Sequence, residues 1–226
     1  MPVGRVASGR RPERVDRGGA PLTNIRVHEG DLHDLSAYGG EVAVDTEAMG
    51  LKPGRDRLCV VQLSPGDGSV DIVHIAKGQT SAPNLGLLLT DPEIVKIFHF
   101  ARFDVAMLKH GLGIAVAPVW CTKIASRLVR TYTDRHGLKE LAREILGFEI
   151  SKQQQSSDWG AEKLSEAQLD YAASDVLHLH QIKAALEARL VREGRLELAK
   201  ACFDFVPTRA ELDLLGWESE DIFSHS

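Results

Sequence analysis

The hydrophobic pattern divides the chain into a half with the period of strands and a half with the period of helices. Residues 42–47 read Val-Ala-Val-Asp-Thr-Glu, an apolar run that turns polar at its carboxyl end. That pattern predicts a short buried strand. Two further apolar runs, 57–64 and 70–75, are separated by Pro65-Gly66-Asp67-Gly68. Their close spacing and turn chemistry predict a meander. Residues 24–27 fit a short edge strand, and 32–36 a short helical turn. A helix is expected over 84–89. Strands follow at 94–98 and 116–120, on either side of a helix over 101–110 stopped by Gly111.

From Thr122 onward the apolar spacing lengthens to the helical period. Helices are expected over 123–129 and 138–146, the second apolar at 138, 141, 142, 145 and 146 and stopped by Gly147. Ser165 with Gln168 resembles a capping box and opens a run to about Glu193. Gly194 interrupts it, another helix reaches about Phe203, and a tail from Pro207 turns acidic. This order predicts an α/β fold: a mixed sheet with flanking helices and a helical C-terminal portion.

Composition narrows the function less than the pattern does. The 226 residues are 43% hydrophobic and 26% charged, ordinary for a globular chain of one large domain. A net charge of −5 does not advertise a nucleic-acid binder, yet a local basic patch suffices for one. Cys59, Cys121 and Cys202 are scattered and form no CxxC pair, so a zinc ribbon or disulfide framework is not expected. A reducing, cytoplasmic setting fits that usage. Neither a membrane span nor a signal-peptide core is present in the pattern. Residues 1–21 are rich in Arg and Gly without apolar periodicity and read as a disordered basic arm.

Candidate chemistry begins at Asp45 and Glu47. Residues two apart on a strand share a face, about 7 Å apart. Two acids at the mouth of an apolar strand repel and lose solvation, which a divalent cation offsets. A turn toward Gly50 accounts for the same pair. Asp104 lies early in the helix after the 94–98 strand; if that strand runs parallel beside 42–47, Asp104 approaches the pair. A first-turn acid also simply favours a helix dipole. Tyr171 and Asp175 stand one helical turn apart and point the same way. Hard oxygen ligands of this kind suit Mg²⁺ or Mn²⁺ rather than zinc.

Taken in order, these motifs resemble the DEDD superfamily of 3′–5′ exonucleases, tyrosine branch, and within it ribonuclease D. The resemblance rests on Val42 to Glu47 with Gly50-Leu51, Leu58 and Val61-Gln62-Leu63; on His99-Phe100-Ala101-Arg102-Phe103-Asp104; and on Gln168-Leu169-Asp170-Tyr171-Ala172-Ala173-Ser174-Asp175-Val176. Gly137-Leu138-Lys139-Glu140-Leu141, Lys152 and Ser157-Asp158-Trp159 also match. Gly160-Ala161 stands where the family often has arginine and proline after that tryptophan. A helical RNA-binding domain is not expected after the nuclease fold, so the small single-domain members are the pattern it resembles, with an exonuclease domain expected over 22–206 and a tail over 207–226.

The resemblance implies a ribonuclease H-like fold and two cations, Mg²⁺ or Mn²⁺, on Asp45, Glu47, Asp104 and Asp175. It implies a catalytic role for Tyr171 and Glu47 in releasing 5′-mononucleotides from 3′ ends of single-stranded RNA, with tRNA and other small RNA precursors as candidate substrates. Thr46, Met49, Gly50, Leu51, His99 and Phe103 are the expected substrate contacts. Lys123, Arg127, Arg130, Arg135 and Lys139 offer a phosphate track, or a solvated face. A DNA exonuclease and an inactive nucleic-acid-binding protein of the same fold are the alternatives.

Overall fold

A computed structural model describes residues 24–150, 154 and 156–225; the basic arm and Lys152 lie outside the described residues. Six strands form one sheet in the order β1-β4-β3-β2-β5-β6. They are β1 (Asn24–Glu29), β2 (Glu41–Ala48), β3 (Leu58–Ser64), β4 (Ser69–His74), β5 (Val95–Phe98) and β6 (Val119–Cys121). The expected meander is present: β2 pairs antiparallel with β3, and β3 with β4. At one edge β1 adds parallel to β4. On the other side of the meander, β5 runs parallel to β2 and β6 parallel to β5. The carboxyl ends of β2, β5 and β6 therefore share one edge of the sheet, the edge where ligands gather in open α/β folds.

Strands β3 and β4 are buried along their whole length because helices cover them. The helices are α1 (Pro83–Thr90), α2 (Ala101–Leu112), α3 (Thr122–Val129), α4 (Leu138–Leu141), α5 (Glu166–Leu177), α6 (Leu179–Arg192) and α7 (Leu196–Leu212). α4 continues as one wider turn over Ala142–Leu146, ended by Gly147 as expected. α5 packs over β2, β3 and β4, while α2 packs against β2, β3, β5 and β6. The capping box at the start of α5 forms in full: Ser165 Oγ accepts from the Gln168 amide, and Gln168 Oε1 accepts from the Ser165 amide.

Several expectations need correcting. Residues 32–36 are irregular, not helical. Asp31 orders them by accepting from the Leu32 amide and from the amides of Asn84 and Leu85, first-turn donors of α1 that have no partner within the helix. Gly111 lies inside α2, and Gly113, at φ 69°, is the residue that ends it. Gly111 serves packing: a Cβ there would sit 3.1 Å from the Leu58 Cβ. The strand expected over 116–120 is only Val119–Cys121. The long run after Ser165 is two helices, parted at His178. The helix expected to end near Phe203 runs through Pro207 to Leu212. A proline there forfeits a helical hydrogen bond, but Ala199, Phe203, Val206 and Ala210 are all buried on one face that spans it. That face seats α7 on α2, α3 and β6, with the Phe203 ring 4.9 Å from Trp120. No helix among the described residues is long and apolar enough to cross a membrane.

Candidate metal centre

Alternation along β2 sorts the acids. Asp45 and Glu47 share the face covered by α5, which presents Asp175. One oxygen from each of Asp45, Glu47 and Asp175 lies within 4.8 Å of the others. Thr46 has the opposite parity and meets α2 instead. Thr46 is 5% exposed, and its hydroxyl donates to Asp104 Oδ1 at 2.7 Å. Asp104 is therefore buried beside the trio but held apart from it, outside the 4.8 Å group. Sequence spacing nominated four equivalent acids; the structure brings three into contact range and fixes the fourth on a threonine.

Electrostatics records the crowding. Burial, reinforced by Asp175 and Asp104, pushes Glu47 up to about 9. Burial raises Asp104 to about 7 despite the Thr46 hydrogen bond, and raises Asp175 to about 7 despite one from Tyr171. Asp45 is driven well above the usual carboxylate range by burial and then by Asp104, Asp175 and Glu47. Acids this reluctant to ionise together are a seat for positive charge. An all-carboxylate donor set fits a hard divalent cation.

The sign of the linkage gives a prediction. Each folded-state pKa lies above its unfolded value, so the cation-free protein holds protons that the unfolded chain releases. That stabilisation is present at low pH and is lost as pH rises through about 7 to 9, where cations gain their full effect. The rise in melting temperature on replacing EDTA by excess Mn²⁺ should therefore be larger at about pH 9 than at about pH 6. Lys96, which burial lowers to about 8, titrates in the same window, but the comparison with EDTA removes its contribution. An equal shift at both pH values would rule out the acidic trio as the seat.

Neighbouring residues set the geometry. Gln62, fully buried, lies opposite Asp45 across β2 and β3 and donates from Nε2 to Asp45 Oδ2 at 3.3 Å. It entered the sequence reading only as part of a motif, since its pairing with Asp45 follows from hairpin register. Gln168 ties the Ser157-Asp158-Trp159 loop to α5 by donating to Ser157 Oγ and the Asp158 carbonyl. Trp159, 2% exposed, packs its ring 6.0 Å from Tyr171. At Gly160 a Cβ would lie 2.5 Å from Met49 Sδ and 3.1 Å from Arg57 Nη2, so a side chain there would have to displace the ends of both.

The expected substrate contacts separate by exposure. Met49 and Leu51 stand out at 54% and 86% exposure after β2, on either side of Gly50. Phe103 is half-buried against the core. His99 Nδ1 pairs with Thr122 Oγ1 at 2.8 Å, tying the end of β5 to the start of α3. Of the expected basic track, Arg130 is spoken for: it is 1% exposed and its guanidinium binds Glu144, Ser126 and the Arg135 carbonyl.

Acids from a central strand and from helices on both faces, gathered at the carboxyl edge of a mixed sheet with a tyrosine one turn before the last acid, define a DEDD-type exonuclease. The chain belongs to the 3′–5′ exonuclease domain family, whose model matches residues 30–191. It is 60% identical to Brucella melitensis NrnC solved with bound Mg²⁺, with a TM-score of 0.87 over 90% of this chain and 100% of that one. Escherichia coli RNase D is 26% identical, with a TM-score of 0.69 over 76% of this chain and 45% of that one. A ribonuclease D from Gluconacetobacter diazotrophicus is 41% identical over 156 residues, 69% of this chain and 39% of the relative. The chain thus spans about two fifths of the length of the curated relatives it matches first.

Proposed function

We propose that this chain is a metal-dependent 3′–5′ exoribonuclease that removes 5′-mononucleotides from the 3′ ends of short single-stranded RNA. The observation that carries this is the meeting of Asp45, Glu47 and Asp175 within 4.8 Å, beside Asp104. The relatives named ribonuclease D favour RNA, and the NrnC solved with bound pGG favours short strands.

Asp45, Glu47, Asp104 and Asp175 would hold two divalent cations, Mg²⁺ or Mn²⁺. When bound, these supply Lewis acidity at the scissile phosphate and at the attacking water. The chain's residues do the positioning. Gln62 orients the Asp45 carboxylate, and Thr46 orients that of Asp104. Tyr171 acts as a hydrogen-bond donor: its hydroxyl bonds Asp175, and in the cation-free centre burial first, then Asp175, Glu47 and Asp45, push its phenol above the ordinary tyrosine range. The water oxygen bonds to phosphorus as the water gives up a proton, the bond to the 3′ oxygen breaks and that oxygen takes up a proton, so a strand one nucleotide shorter leaves with a free 3′ hydroxyl beside a 5′-mononucleotide. Met49, Gly50 and Leu51, projecting after β2, contact the terminal nucleotide, with His99 and Phe103 on the α2 side.

RNA and DNA oligomers of one sequence, labelled at the 5′ end and incubated with Mn²⁺, test the reading. The RNA should shorten one nucleotide at a time and faster than the DNA. Preferred trimming of DNA would favour the alternative of a DNA exonuclease, and internal cuts would exclude both.

A further inference from the structure

A second cluster of ligating side chains lies at the β1 edge of the sheet, separated from β2 and its acids by β3 and β4. Its anchor is Asp71 on β4, whose side chain is 4% exposed. Asp71 accepts from Arg26 Nε and Nη2, each at 2.7 Å, from Tyr38 Oη at 2.5 Å and from His28 Nε2 at 2.7 Å. Burial works to raise this carboxyl, but the hydrogen bonds from Arg26, Tyr38 and His28 prevail and hold it at about 2. An ionised carboxylate only accepts. His28 therefore carries a proton on Nε2, which leaves its Nδ1 for another partner. That atom lies 3.3 Å from Nδ1 of His33, with the two rings turned 70° to one another. His33 is exposed, in the irregular segment between β1 and β2.

We propose that His28 and His33 bind a divalent transition ion of the zinc, nickel or copper class, coordinated by the two Nδ1 atoms and completed by water. Two ring nitrogens this close need a positive centre between them, because facing lone pairs repel. A shared proton would make a hydrogen bond longer than the usual range. A tetrahedral ion with bonds of about 2.0–2.1 Å to nitrogen sets two ligands about 3.3 Å apart. Histidines that hold metals carry a carboxylate on the other ring nitrogen, which fixes the tautomer and raises basicity. Asp71 occupies that place behind His28. No third protein ligand joins the pair among the described residues, so water fills the open positions on the exposed side. Imidazole selects these ions, whereas the carboxylates on β2 and α5 select Mg²⁺ or Mn²⁺, so the chain sorts two metals by ligand type. The ion clips the segment of His33 onto β1. The same segment supplies Asp31 to the amides of α1 and Tyr38 to Asp71, so the clip fastens the outer edge of the sheet. The inference stands apart from the nuclease reading.

Zinc titrated into the full chain, with Mg²⁺ in large excess to occupy the acidic centre, tests the site. Calorimetry should show one Zn²⁺ taken up per chain, and the ring nitrogen resonances of both His28 and His33 should move. His33→Ala removes an exposed ligand and leaves the bonds to Asp71 in place, so its melting temperature without zinc should match the parent's. It should bind zinc more than about tenfold more weakly, since even a group behind a ligand is worth that much. Zinc should raise the melting temperature of the parent and not of the variant. Asp45→Asn should take up zinc as the parent does, which separates the pair from the acidic centre. Trimming of RNA with Mn²⁺ should run at one rate in the parent and in His33→Ala, so failure of either reading leaves the other standing. Equal zinc uptake by the parent and His33→Ala, or ring resonances that stay in place, reduces the pair to a histidine–histidine hydrogen bond and overturns the proposal. Zinc that raises the mass in sedimentation is shared between copies, and the one-chain site fails.

Discussion

Asp45→Asn should lower mononucleotide release by about a thousandfold and, in EDTA, make the protein more stable. Both effects have one cause. Burial first, and then the charges of Asp104, Asp175 and Glu47, hold the Asp45 carboxyl protonated well above the ordinary range. Asparagine keeps the shape and the oxygen that accepts from Gln62 Nε2. It deletes the charge that cations require, and with it the repulsion suffered when cations are absent. A thousandfold in rate corresponds to about 4 kcal/mol of lost transition-state stabilisation. The stability gain should grow steadily as pH rises from about 6 to about 9, through the range in which Asp104 and Asp175 ionise. Rates from gel ladders and melting curves in EDTA on one preparation check the pair of claims. A variant that still turns over, or melts earlier than its parent, contradicts the assignment of Asp45.

Tyr171→Phe should cost about a hundredfold in turnover with little change in stability. The ring stays, so its packing on Trp159 at 6.0 Å is kept. Only the hydroxyl that hydrogen-bonds Asp175 is lost. As a donor whose phenol is held above its usual range in the cation-free centre by burial and then by Asp175, Glu47 and Asp45, Tyr171 should stay protonated across the neutral window. The loss should therefore be uniform between about pH 6 and pH 9, without removing a limb of the profile. A loss confined to high pH would make Tyr171 a base, and an unchanged rate would remove it from the reaction.

Much of this site was legible locally. Period-two alternation placed Asp45 and Glu47 on one face of β2, and one helical turn placed Tyr171 with Asp175 on α5. The capping box at Ser165 and Gln168 formed as written. Other features depend on partners distant in sequence. That Gln62 braces Asp45 follows from the register of β2 against β3. That Asp104 answers to Thr46 follows from α2 packing on the face opposite α5. Arg130 was read with the exposed basic residues, yet Glu144, Ser126 and the Arg135 carbonyl bury it. The Pro207 boundary was misplaced because a proline was weighed by propensity, while four buried side chains on one face of α7 carry the helix through.

The amino-acid sequence by itself determined most of the element types, the mixed character of the sheet and which acids share a face of one strand or helix, because these follow from periodicities within one element. Only the tertiary structure decided which acids converge within 4.8 Å, which basic residues are buried in ion pairs and where a cavity opens between α2, α3 and α7. Those outcomes depend on strand order and on helices docking across the sheet, where burial and repulsion act between residues that no local spacing relates.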